Sequence, residues 1–225
     1  AGWGTQRGEL LPIESSTCIG FSSFRASTDS TVVKLAPEFI MTFWKLLLSI
    51  ILLGSSAVHA QSVLNANPGP NNNGGVTGSA ILFDVEATSG VVVTGLTTAT
   101  DAAPGAPFTL RVYTRDGSAL GGPVATGPGS STAGWTLRGS VPGIQGGGGI
   151  SLPIALPDLS ISAGRTLGVA LEFVDVDPAY FGIGTAPIEI YTDSILTLRT
   201  GDARSIPFTT NGSFFSSRAL VGSLI

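Results

Sequence analysis

Two pairs of carboxylates carry the first chemical possibility in this 225-residue chain. Asp84 and Glu86 are spaced by two, as are Asp175 and Asp177, so each pair falls on one side of an extended segment. Glycoside hydrolysis needs two carboxyl groups across a cleft, one of them raised in pKa by burial. Both pairs alternate with apolar residues, however, which is the pattern of solvated outer positions on strands. They read first as surface charge, and no catalytic residue is assigned. Asp175-Val176-Asp177 also resembles the opening of an Asp-x-Asp calcium loop. Pro178, Ala179 and Tyr180 then supply neither a further acid nor the glycine of an EF-type loop. Asp175 and Asp177 stay a metal candidate for calcium alone, completed by backbone carbonyls. No other cofactor is expected.

Three aromatics offer a second chemistry. Tyr113 is expected to point outward from its strand, and Tyr180 and Phe181 to sit in the loop after the acidic turn. Exposed aromatic rings rimmed by polar groups can stack sugars, so Tyr113, Tyr180 and Phe181 are the ligand-binding candidates. Ordinary partial exposure is the simpler reading of each.

Which chemistries are missing depends on processing. Met41 opens a short segment containing Lys45, then an apolar run over residues 46–53, then Val58-His59-Ala60. That is the layout of a secretory signal peptide over residues 41–60, cut between Ala60 and Gln61. The apolar run is about half the roughly 20 residues needed to span a bilayer. Residues 1–40 show no periodic pattern and are expected to be a non-native upstream or disordered segment. Residues 61–225 then hold 7 Arg and 11 Asp or Glu, but no Lys, His, Cys or Met. Serine- and cysteine-type triads need a histidine base, structural zinc needs Cys and His, and Schiff bases need Lys. All three are excluded from the mature chain. The net charge of −4 and pI near 4.8 also argue against nucleic acid as a partner.

The elements that must position these residues are strands. Phe108, Leu110 and Val112 alternate with Thr109, Arg111 and Tyr113, and residues 81–87, 135–141 and 167–173 repeat the period of two. Phe108, Trp135 and Phe173 are expected in the core. Segments 91–98, 150–154, 187–191, 194–200 and 213–225 add further strands. Asp116-Gly117 and Asn211-Gly212 supply turn chemistry; the latter also fits a glycosylation triplet but reads better as a turn. Asn, Pro and Gly dominate residues 65–79, so 61–79 is expected to be a flexible, disordered lead-in. The expected fold is all-β: one antiparallel β-sandwich, a jelly roll, over residues 80–225.

The leader, the strands at 81–87, 108–116 and 135–140, the 160–166 turn and the closing run 216–225 together resemble a group of secreted bacterial β-sandwich surface proteins. These are jelly-roll-like and often carry cell-surface sorting tails. The resemblance implies fold and a secreted or cell-surface location, and it transfers no functional residue. The function expected is a non-catalytic extracellular structural or adhesive protein, not an enzyme. Its partners would be itself, through sheet edges and above all residues 213–225, or extracellular glycan and matrix. No stable membrane span is expected in the mature form. The alternatives are a carbohydrate-binding module using the exposed aromatics and, further off, an Asp/Glu-dependent glycan hydrolase.

Overall fold

Alternating apolar and polar side chains turn most of the chain into strands. The computed structural model describes residues 61–66, 68–182 and 189–225. Segment 1–40, the leader 41–60 with Ala60, and Pro187 and Ile188 of the expected strand 187–191 lie outside the described residues. The first seven strands are β1 (Leu64–Ala66), β2 (Asn73–Gly74), β3 (Ala80–Ala87), β4 (Val91–Thr100), β5 (Pro107–Asp116), β6 (Thr136–Ile144) and β7 (Ile154–Ile161). The rest are β8 (Thr166–Phe173), β9 (Pro178–Gly182), β10 (Glu189–Thr192), β11 (Leu196–Arg204), β12 (Phe214–Ser216), β13 (Arg218–Ala219) and β14 (Gly222–Leu224). Among the described residues no helix is long and apolar enough to cross a membrane.

Two antiparallel sheets form a β-sandwich. One runs β1-β14-β4-β9-β13, with β7 on the other side of β4 and β2 beside β9. The second runs β10-β11-β3-β8-β5-β6, with β12 also on β11. The chain crosses between them repeatedly, at β3 to β4, β4 to β5, β6 to β7, β7 to β8 and β8 to β9. Period two sets what faces the interior. Ile81, Phe83 and Val85 of β3, Leu110 and Val112 of β5 and Val169, Leu171 and Phe173 of β8 are buried against Leu96 of β4, Ile154 and Ile161 of β7 and Leu224 of β14.

The expected lead-in is structured instead. Leu64 pairs with Leu224 and Ala66 with Gly222, and both Leu64 and Ala66 are buried in the core. Their short apolar alternation outweighs the Pro- and Asn-rich composition around it, because a neighbouring strand is there to receive it. The strand expected at 150–154 forms mainly at β7, with Ile150 making one bridge to Ala99. Pro157 masked this strand in the sequence. It is tolerated because β7 is an edge, where one side of the backbone needs no ladder bond.

Residues 135–141 also depart from their pattern. The β5–β6 register slips between Val112 and Tyr113, which face Gly139 and Leu137 respectively. This bulge at Gly139 (φ 158) turns the alternation over, so Val141 is buried while Leu137 is 53% exposed. Trp135 leaves the core for the outer face of the second sheet. Residues 213–225 do not form one strand. Ser217 (φ 58) breaks the run, letting β12 close on β11 while β13 and β14 join the other sheet. β14 is paired on both sides, by β1 and β4, so it offers no free edge to another copy.

Candidate functional site

The outer face of the second sheet is covered, which changes the fate of the acids. Leu82, Ala80 and Ala170 point away from the main core and form a second apolar cluster with Ala119, flanked by Tyr113, Trp135 and Phe208. The segment from Gly117 to Trp135 lies over this face. Gly168 permits the approach: a Cβ there would stand 2.7 Å from the Ala119 nitrogen and the Gly117 carbonyl. Trp135 donates its indole N–H to the Pro128 carbonyl at 2.9 Å and sits edge-on to Phe208, 5.3 Å between centroids.

Asp84 therefore is not the solvated position that its alternation suggested. It is buried, accepting from the Ser118 hydroxyl and the Ala119 N–H, both at 2.6 Å. Asp202 is buried as well and accepts from the Gly121 N–H at 2.6 Å. Burial pushes the Asp84 carboxyl above the usual range, and the Ser118 and Ala119 bonds with Arg199 and Arg115 offset only part of that. Burial does the same to Asp202, reinforced by Asp84 and opposed by the Gly121 bond and Arg204. Glu86 stays half-exposed and pairs with Arg199 at 3.8 Å. Arg199 thus acts on both carboxylates, but only Asp84 is hydrogen-bonded beneath a loop.

Two raised carboxyls give stability a specific pH dependence. Between their unfolded pKa, near 3.8, and their raised folded values, the folded chain holds more protons than the unfolded chain. Stability therefore falls as pH rises through that window. Asp193 has the opposite sign: burial raises it, but N–H groups of Leu196 and Ile195 and the Ser62 hydroxyl outweigh that and lower it, so its contribution is lost only below the ordinary carboxylate range. We expect the melting temperature to rise as pH falls from about 7 into this window, and Asp84→Asn with Asp202→Asn to flatten the slope. A wild-type slope retained by that double variant would exclude these two groups as its source.

The other sequence candidates are separated from one another. Asp175 accepts from the N–H and the hydroxyl of Thr109, at 2.7 and 2.9 Å. Asp177 accepts from the Thr77 hydroxyl at 2.5 Å. Among the described residues no group of three or more Asp, Glu, His or Cys is arranged to hold a metal. Tyr113 is half-buried, its hydroxyl 3.0 Å from Glu172 and its ring 4.5 Å from Phe208. Tyr180 and Phe181 stand on strand β9 rather than in a loop, and Tyr180 is only 3% exposed.

Tyr180 nevertheless reaches an open site from beneath. Where the two sheets part, a cleft of about 270 Å³ is lined by Asn73, Ser79, Tyr180, Ser205, Phe215 and Arg218, together with residues 74–76 and 203–204. β2, β9 and β13 supply one wall; the start of β3, the end of β11 and β12 supply the other. Tyr180 donates its hydroxyl to the Gly74 carbonyl at 2.9 Å, fixing the floor. Burial raises the Tyr180 phenol, and the nearby Arg218 guanidinium opposes that rise. Arg218 lies over the Phe215 ring at 5.5 Å and sends Nη1 to the Ser216 and Ser217 carbonyls, at 3.1 and 3.3 Å. The ion pairs among the described residues are Arg111–Glu172 and Arg199–Glu86, so no carboxylate there neutralises Arg218. Of the cleft's residues the sequence had singled out Tyr180; Asn73 and Ser79 were read as lead-in, and Arg218 stood out only as the sole charge in an apolar closing run.

A second, wider cleft of about 540 Å³ is lined by Gln61, Val63, Thr94, Gly95, Pro153, Ile154, Ala155 and Ile225. Neither cleft contains an Asp or Glu side chain. No protein-family model and no curated protein matches the chain.

Proposed function

We propose that the chain is a non-catalytic extracellular adhesive domain that binds a saccharide in the cleft between β2, β12 and β13. The observation that carries this reading is the cleft itself, which joins an exposed aromatic ring, Phe215, to polar side chains with unspent hydrogen-bonding capacity. An apolar ring bordered by such groups suits a sugar, whose faces are apolar and whose rim is hydroxylated. The carboxylates support the non-catalytic half of the reading. Asp84, Asp175, Asp177, Glu172 and Asp202 are each engaged with protein donors, and none lines either cleft.

Edge-to-edge self-association is the less favoured reading. β6 and β7 are edge strands interrupted by Pro142 and Pro157, and β6 also carries the Gly139 bulge. Both devices blunt edges against strand addition. Export is proposed to follow the leader at 41–60, leaving the domain secreted or at the cell surface. Titrating the full chain against neutral and acidic oligosaccharides tests this reading. Binding that Phe215→Ala weakens roughly tenfold, with no reducing ends released, is the expected result. Release of reducing sugar would refute the non-catalytic assignment, and failure to bind any saccharide would refute the adhesive one.

A further inference from the structure

Buried polar atoms without partners are rare in folded proteins, and each one calls for an explanation. Ser79 is 3% exposed, lines the cleft, and its Oγ has no hydrogen-bond partner. Arg218 Nε is likewise buried and unpartnered. An arginine Nε can only donate, so its missing partner must be an acceptor. The Ser79 hydroxyl, lining the same cleft, is also free to donate. Arg218 Nη1 is committed to the Ser216 and Ser217 carbonyls and the guanidinium also reaches the Tyr180 hydroxyl, while the unpartnered Nε lies on the other edge, beside Nη2. That edge presents two parallel N–H bonds, the fork that matches the two oxygens of a carboxylate.

From these atoms we infer that the cleft takes a carboxylate carried on a sugar ring, a uronate residue of an acidic glycan, held by Arg218 and Ser79 beside Phe215. This deepens the saccharide reading above and rests on it. The cleft's volume of about 270 Å³ lies just below the roughly 300–1,000 Å³ of sites that enclose drug-sized ligands, so it suits one ring rather than an oligomer. Phe215, 39% exposed, offers the ring an apolar face, and its contact with Arg218 fixes the guanidinium plane. Asn73 and Ser205, whose Oγ accepts from the Ser213 N–H and can still donate, also line the cleft for the sugar hydroxyls. An extended peptide is less suited, because it needs a run of open backbone groups and the rim strand β2 has two residues already paired with β9.

The test is calorimetric titration of the full chain with galacturonate oligomers, their methyl esters, a sulfated galactan and a peptide with a free C-terminal carboxylate. Galacturonate should bind, and esterification, which keeps the ring and removes the charge, should weaken binding roughly tenfold or more. Arg218→Lys, which keeps charge but loses the fork, should lose a similar factor. Ser79→Ala should weaken binding severalfold without lowering the melting temperature. The ester comparison needs no variant and reads the site even if Arg218→Lys folds poorly. Equal binding of acid and ester would overturn the carboxylate assignment while leaving the saccharide reading intact, as would tighter binding of the sulfated chain. Binding of the peptide alone, or of nothing, would overturn both.

Discussion

Deleting residues 213–225 should abolish cooperative folding. The segment supplies Ala219, Leu220, Val221 and Leu224, all at most 3% exposed, so its loss opens both sheets at once. β14 lies between β4 and β1, and without it β1 has no strand to pair with, so Leu64 and Ala66 leave the core as well. Burying a large aliphatic side chain contributes about 1.5–3 kcal/mol, and the losses of Leu220, Val221 and Leu224 together with Leu64 take up much of a domain's usual margin of roughly 5–15 kcal/mol. The truncated chain should show no sharp thermal transition and should bind a hydrophobic dye. A cooperative melt within a few degrees of the full chain would mean that the segment is dispensable. The same pairing bears on association: a strand already paired on both sides by its own chain has nothing to offer a neighbour.

Local pattern carried the fold further than it carried the site. The alternations at 81–87, 108–114 and 167–173 were legible because each strand has one face on a common core, and β3, β5 and β8 bury the residues that the period selects. The lead-in was misread because composition speaks for a whole window, while the burial of Leu64 and Ala66 depends on a partner about 160 residues away in sequence. Trp135 and Leu137 were misread because a single bulge reverses every side chain beyond it. No local signal announces such a bulge except a glycine, and this chain holds 31 of them.

The site failed for a related reason. Asp84 looked like a surface charge because its own strand said so, and only the fold reveals that residues 117–135 return to cover it. Tyr180 looked like a loop residue after an acidic turn, yet it is the floor of a cleft. Ser79 is far in sequence from Phe215 and Arg218, which share the closing run, and none belongs to a motif. Sites built from strand ends across two sheets leave no spacing to read, and the absence of His, Cys and Lys from residues 61–225 was the strongest chemical statement that the sequence could make.

Arg204 is where the covered face should prove most sensitive to a single substitution. Its side chain is fully buried at 0% exposure, an unusual place for a guanidinium. Nη1 donates to the Val124 carbonyl at 2.9 Å and Nη2 to the Pro123 carbonyl at 3.4 Å, so Arg204 ties the covering loop to β11. Its carbon sits 5.3 Å from the Phe214 ring, and a Cβ on Gly129 would lie 2.5 Å from its Nε, which is why the loop passes over it on glycine. Burial lowers its pKa, and the charge of Asp202 opposes that shift. Arg204→Ala removes the cation, strands two carbonyls and leaves Asp202 as a buried charge without its nearest counter-charge. The expected cost is about 3–5 kcal/mol, read as a fall in denaturation midpoint. Adding Asp202→Asn to Arg204→Ala should recover part of that loss, because the uncompensated charge goes with it, whereas a loss due only to the vacated volume would not recover. A cost below about 1 kcal/mol for Arg204→Ala, the range of exposed ion pairs, would mean that the guanidinium is solvated and that the loop does not depend on it.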